Sequence, residues 1–401
     1  MSMPADGGAP CWPQQCSITR TKGGPPDAPT TSELHGTERE ATGASDLWLC
    51  LPVRTLPVQL SDLTPAWLSG VLGLDVVDVT VLDHASATNQ RVRLGLTYAA
   101  TTEGPTSLFV KLASPDPAHR EMIGASAMGD REARFYVDVA PFLDLRVPRS
   151  YYAASADDGS FAVLLEDLAA SGCAFSDGAW GVTADAAAVA LEELARFHAR
   201  FADPAVRAAV APWLAVSQPQ HGDFVAQLMR TVLDEHADVV SPAYLATGDL
   251  YVEHHDRLGE LWDAGPQTYI HGDTHIGNVF LDRGRVGFFD WGLSRVSTPL
   301  RDVSYFLTMA VDPEERRKSE RDLLALYLDA LRTAGGADIA FDEAWSAHRV
   351  QAGYTVVATF LAFMPSYAGD GQALGIALRR HAEAALDDLE VVDAIRAAVA
   401  S

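Results

Sequence analysis

The sequence predicts an α+β fold in two lobes, a small antiparallel sheet with one helix followed by a larger, mainly helical region. Three observations carry this. β-rich runs cluster between residues 76 and 165, and the first three are joined by links too short for crossover helices. From residue 184 onward apolar residues recur at three- and four-residue spacing, the period of a helix with one buried face. A chain of 401 residues, 48 % of them apolar, can fill two lobes with a sizeable core. The expected boundaries are an extension over 1–55, a first lobe over 56–166 and a second over 167–401.

Taken in order, residues 1–55 are rich in Pro, Gly, Thr and Ser without a sustained apolar period, and read as a disordered extension. Ser61 or Thr64 caps a short helix ending at Leu72, with Pro65 in its first turn. Strands follow at 76–82, 91–98 and 108–113. In the second, Val92, Leu94, Leu96 and Tyr98 alternate with Arg91, Arg93, Gly95 and Thr97, so one face is apolar. The third holds Lys111 between Val110 and Leu112, a costly place for a charge without a partner. A helix over 128–139 carries Glu132, whereas Glu121, close to Pro115 and Pro117, sits in a less helical stretch. The run 161–165 is another strand, ending in Glu166-Asp167-Leu168.

In the helix beginning at Ala184, His198 shares a face with Leu191, Leu194 and Phe201, and reads as a packed core histidine. Further helices are expected at 223–240 and 244–264, with Pro242 between them and Gly265-Pro266 as the break. The last helices fall at 313–334, 342–363 and 372–399. The apolar run 354–363, with Met364 and Tyr367 beyond it, either packs as core or lines a pocket.

Chemistry concentrates in YIHGDTHIGNVFLDRGRVGFFD, residues 269–290, which reads as strand, polar loop, strand, turn, strand. Asn278 lies five residues after Asp273, and Asp290 seventeen after it, opening an Asp-x-Gly turn. That is the layout of a phosphoryl-transfer loop: one carboxylate accepts a hydroxyl proton, while an Asn and a second Asp hold magnesium against nucleotide phosphates. Asp282, in the turn between them, reads as solvated. The alternation His271-x-Asp273-x-His275 also admits a zinc site on a strand, although Gly272 and the Gly277-Asn278 turn point to a loop.

His271-Gly272-Asp273-x-His275-x-x-Asn278, followed by Phe289-Asp290-Trp291-Gly292, resembles the aminoglycoside phosphotransferase and choline kinase clan of the protein-kinase-like fold. The continuation PLRDVSYFL, residues 299–307, is most similar to the ecdysteroid-kinase-like branch. The resemblance implies ATP, with GTP possible, and Mg²⁺ as cofactors, and a small hydroxylated molecule as phosphoryl acceptor. It implies Asp273 as base and Asn278 and Asp290 as metal ligands. It places Lys111 on the α/β-phosphates, steadied by Glu132, and backbone groups around Glu166 and Leu168 on the adenine edge. The loop DHASATNQ, residues 83–90, would cover the phosphates with donors from Ser86, Thr88 and Asn89; it departs from the Gly-rich form in having no glycine. Asp302 is implied to brace the catalytic loop and His275 to support it.

The net charge of −24, only −2 of it in the first 55 residues, argues against nucleic acid, whose phosphates need a basic surface. It is compatible with an amine-bearing acceptor of aminoglycoside or choline type, while the branch resembled and the apolar run 354–363 point to a lipophilic alcohol. No apolar run reaches the roughly 18 residues of a membrane span, no secretory signal opens the chain, and the four cysteines fit a reducing, cytoplasmic setting. No obligatory protein partner is inferred. Two competing readings stay open. One is a catalytically silent nucleotide-binding or interaction module of the same fold. The other is a protein kinase, against which stand the missing Arg between His271 and Asp273 and the missing Ala-Pro-Glu after Asp290.

Overall fold

Alternating burial along residues 90–98 organises the first lobe. The computed structural model describes residues 55–86, 89–176, 178, 180–215, 222–363 and 372–401. Expectations for residues 1–54, Thr88, the side chain of Ser86, Met364 and Tyr367 lie outside the described residues. Thr64, not Ser61, caps helix α1 (Pro65–Leu72): its hydroxyl accepts the Trp67 N–H, and Pro65 takes the first position. Strands β1 (Val76–Ser86), β2 (Gln90–Tyr98) and β3 (Ser107–Leu112) follow. Helices α2 (Pro117–Gly124) and α3 (Met128–Arg134) come next, then β4 (Ser150–Ser155) and β5 (Phe161–Glu166). The sheet order is β1-β2-β3-β5-β4, with every pairing antiparallel. Lys111 therefore stands on the central strand, opposite Arg91 on one side and Val163 on the other.

The apolar side of β2 buries Val92 and Leu94 with Leu108, Val110 and Leu164 under α1 residues Leu68 and Val71. The opposite side of the sheet meets α3, which continues through a π turn, Phe135–Val139, that buries Phe135 and Tyr136. The lobe thus carries two short helices, α1 and α2, besides the one bearing Glu132. Glu121, expected in a less helical stretch, lies inside α2. Strand β4 was not expected: each of its residues is half-buried, so no apolar alternation marks it.

The second lobe opens with α4 (Ala184–Arg200), α5 (Pro204–Val210), α6 (Gly222–His236) and α7 (Pro242–Trp262). Pro242 sits at the first position of α7 behind the Ser241 cap rather than between two helices. Two small ribbons and their turns hold the 269–290 stretch: β6 (Thr268–Ile270), β7 (Val279–Asp282), β8 (Arg285–Phe288) and β9 (Arg295–Ser297), with β6 pairing β9 and β7 pairing β8. Then come α8 (Pro299–Met309), α9 (Pro313–Thr333), α10 (Phe341–Gln351), α11 (Tyr354–Thr359), α12 (Gln372–Asp388) and α13 (Val391–Val399).

The helix expected at 342–363 is broken at Gly353, where a Cβ would come within 2.6 Å of Ile395 Cδ1 and so close the α10–α13 contact. The one expected at 372–399 breaks at Glu390, which is left-handed (φ 48°). The main core runs from Phe135 and Val163 through α4 to Trp291, Phe306 and Tyr327; a second one joins α6 and α7 to α11 and α13. Of the apolar run 354–363, Val356 and Phe360 are buried in that second core. No described helix is long and apolar enough to cross a membrane.

Candidate active site

The loop after β6 is held from behind by one carboxylate. Asp302, buried in the first turn of α8, accepts the His271 N–H at Oδ2 and the Gly272 N–H at Oδ1, each at 2.7 Å. His198 Nε2 lies 3.2 Å from Oδ2, and its Nδ1 meets the Tyr327 hydroxyl at 2.8 Å. His198 is thus in the core and works as a brace. Burial opposes the Asp302 charge, but His198 and the loop N–H groups outweigh it and hold the carboxyl below its usual range. Gly272 is left-handed (φ +83°), and a Cβ there would stand 2.5 Å from the Leu293 carbonyl oxygen.

His271 uses both ring nitrogens within the loop. Nε2 lies 3.0 Å from the Phe289 carbonyl, and Nδ1 accepts the Asp273 N–H at 3.2 Å. Burial keeps this imidazole below its ordinary pKa despite nearby Asp302 and Asp273. No nitrogen is left for a metal. Among the described residues, no cluster of three or more His, Cys, Asp or Glu side chains could hold a metal ion. The zinc reading has no ligand set here.

Asp273 and Asn278 meet through the short 3₁₀ turn Ile276–Asn278. Asn278 Nδ2 donates to Asp273 Oδ2 at 2.7 Å and to its carbonyl at 3.0 Å. His275 Nε2 is 3.5 Å from the same carboxylate oxygen, while its Nδ1 accepts the Gly277 N–H. Burial works against protonation of His275, yet Asp273 overrides it and raises the pKa.

Lys111 reaches across from the sheet. Its Nζ lies 2.8 Å and 2.9 Å from the two Glu132 oxygens and 3.0 Å from Asp290 Oδ1, with Lys111 and Glu132 both 3 % exposed. Burial pushes the Glu132 carboxyl up to about 7 against the pull of Lys111. Burial also opposes the Lys111 charge, but Asp290 and Glu132 raise its pKa, and Lys111 in turn keeps Asp290 low. One cation thus faces two carboxylates. Asp290 is left-handed (φ +64°), a conformation Asp tolerates better than most residues. The segment after it is locked to α3: Phe135 stacks on Trp291 with centroids 3.8 Å apart, and Arg131 Nε donates to the Gly292 carbonyl at 2.7 Å.

The other residues expected at the site lie at or just beyond strand ends. Glu166 points its carboxylate at Arg146, with both oxygens paired at 2.9–3.0 Å, and Arg146 Nε also holds Asp282 at 2.8 Å. Asp282, expected to be solvated, is therefore an ion-pair partner. Burial disfavours the Glu166 charge, but Arg146 outweighs it and lowers the pKa. Leu168 packs with Cys173, Phe280 and Phe289, an apolar patch beside the strand end. Asn89 has a buried side-chain oxygen without a partner among the described residues. Ser86 ends β1 opposite Gln90. Sequence reasoning missed Arg146, Arg131 and Tyr305. The first two act over separations of 136 and 161 residues, so no local pattern marks them.

A five-stranded antiparallel sheet over a helical lobe, with these loop residues between them, defines a small-molecule phosphotransferase of the protein-kinase-like fold. The chain belongs to the ecdysteroid kinase-like family, whose model matches residues 82–335. Similar solved structures include a macrolide 2'-phosphotransferase from Brachybacterium faecium, at 17 % identity over 78 % of this chain and 96 % of that one, TM-score 0.40. A choline/ethanolamine kinase family protein from Mesorhizobium loti matches at 15 % over 79 % and 92 %, TM-score 0.42. A choline kinase from Streptococcus pneumoniae matches at 13 % over 80 % and 96 %, TM-score 0.43. No curated protein matches the sequence.

Proposed function

We propose that this chain transfers the γ-phosphoryl group of ATP to a hydroxyl of a small molecule, with Asp273 as base. The observation that carries the reading is the meeting of Lys111 with Glu132 and Asp290, next to the Asp273–Asn278 pair. In the proposed reaction Asp273 orients the acceptor hydroxyl and takes its proton. The acceptor oxygen then bonds to the γ-phosphorus, and the bridge to the β-phosphate breaks with its electron pair leaving on ADP.

The donor set suits magnesium. Asn278 spends its amide nitrogen on Asp273 and keeps its carbonyl oxygen; Asp290 spends Oδ1 on Lys111 and keeps Oδ2. One carboxylate and one amide oxygen, completed by phosphate oxygens and water, match the hard-oxygen preference of Mg²⁺. Bound there, Mg²⁺ neutralises charge on the phosphate oxygens. Lys111 turns from Asp290 to the α/β-phosphates while Glu132 keeps it in place. Leu168, Phe280 and Phe289 give an apolar surface for the base, and backbone groups around Glu166 read its edge.

The test is Mg²⁺-dependent ATP consumption across a panel of hydroxylated compounds. Asp273→Ala is expected to lower turnover about 10²–10⁴-fold, the usual contribution of a general base. Near-normal turnover in a folded Asp273→Ala protein removes the assignment. Mg·ATP binding without turnover on any acceptor, or no binding at all, favours a silent module instead.

A further inference from the structure

At the start of α8 two guanidinium groups stand with little negative charge around them. Arg301 is 6 % exposed; its guanidinium lies over the Tyr354 ring, 4.0 Å from the centroid, with the Trp262 ring at 5.7 Å. Arg295, on β9, is close enough that burial and its charge together depress the Arg301 pKa, and Arg295 acts on Arg131 in the same way. The carboxylate that approaches both is Asp263, 4.0 Å from Arg301 and 3.8 Å from Arg295, and it already accepts the Ser297 hydroxyl at 2.5 Å. The Nε–H groups of Arg295 and Arg301 are both buried with no acceptor among the described residues. A buried charged donor left without an acceptor is expensive, and an anion is the group that satisfies it.

The place of this pair matters. Arg301 and Tyr305 are four residues apart on α8, hence on one face and about 6 Å apart along the helix. The Tyr305 ring packs edge-on against His275 at 6.1 Å and Tyr354 at 5.7 Å, and its hydroxyl interacts with Asp273. Arg301 therefore lies about one helical turn from Tyr305, the neighbour of the proposed base, and beside Tyr354, Trp262 and Tyr251. Over those rings, where a quaternary ammonium would be recognised, the protein has put its own cation. The site is reachable: Arg295 is 30 % and Asp263 40 % exposed.

We propose that Arg301 and Arg295 bind an anionic group of the acceptor, a carboxylate or phosphate-type oxyanion on an aromatic or otherwise apolar body, while its hydroxyl faces Asp273. This rests on the phosphotransferase reading above. It reverses the amine-bearing acceptor suggested by the overall charge of −24, which says nothing of the charge at one buried spot.

The test uses matched pairs of aromatic hydroxy acids and their uncharged alcohols, 4-(hydroxymethyl)benzoate and 1,4-benzenedimethanol among them. Binding is read by calorimetry with the nucleotide site filled by Mg·ADP. At least one acid should bind tenfold or more tighter than its neutral partner. Arg301→Gln and the more exposed Arg295→Gln should each erase that preference, and Arg301→Lys should restore part of it, with Mg·ADP affinity unchanged throughout. No acid preferred over its partner, or a preference that survives both glutamine variants, overturns the proposal. Failure of the wild type to bind Mg·ADP is a separate result, directed at the phosphotransferase reading.

Discussion

Replacing Asp302 by Asn tests the brace behind the proposed catalytic loop. In the wild type each carboxylate oxygen takes a backbone N–H, and Oδ2 faces His198 as well. An amide of the same shape has one acceptor oxygen. Whichever way it is turned, its NH₂ meets either the His271 or the Gly272 N–H, donor against donor. One buried N–H is orphaned, at about 1–3 kcal/mol, and the remaining bonds lose charge assistance, about 1 kcal/mol more. Asp302→Asn should therefore lower unfolding free energy by about 2–4 kcal/mol at pH 7, read as a shifted urea midpoint with unchanged slope. The sign with pH follows from the lowered pKa of Asp302. Its contribution is present above the unfolded value of about 3.9 and is lost as pH falls through the folded value. The gap between wild type and variant should hold at pH 5–8 and close in acid. A gap below about 0.5 kcal/mol at pH 7, or one that persists unchanged at pH 2, would refute the reasoning.

Two further outcomes are expected. Gly272→Ala puts a Cβ on the Leu293 carbonyl in a left-handed backbone, so it should cost about 1–3 kcal/mol by thermal or urea unfolding; wild-type stability would mean the loop relaxes freely. His275 titrates high because Asp273 outweighs its burial, so its share of stability is full below about 6.5 and fades as pH rises through the raised folded value. In Asp273→Asn burial meets only the weaker pull of Asp290 and a backbone hydrogen bond, and the NMR titration midpoint of His275 should drop below that of the wild type. An unmoved midpoint would show that Asp273 is not what holds the proton there.

The parts of this fold that repeat at short range were legible in the sequence. Alternation along residues 91–98 marked β2, and the three- and four-residue spacing after Ala184 marked α4, because both reflect which side chains one element turns inward. The Asp273, Asn278 and Asp290 spacing could be read because the residues share one short chain segment. Lys111 betrayed itself as a charge in an apolar strand, and its bond to Glu132 answers that cost. What stayed hidden depends on contacts between distant segments. Nothing near Arg146 announces that it will join Glu166 to Asp282, and the half-buried β4 carries no alternation. Gly353 stands where a Cβ would meet Ile395, forty-two residues on, a contact that no helical period records.

The stack of Phe135 on Trp291, with Arg131 on the Gly292 carbonyl, fastens the helix of Glu132 to the turn of Asp290. Those two carboxylates are accordingly joined through packed neighbours although they come from different lobes. Lys111, on the central strand, is the member free to exchange one companion for another. A change in the gap between the lobes would register first as a change in which oxygen that ammonium touches.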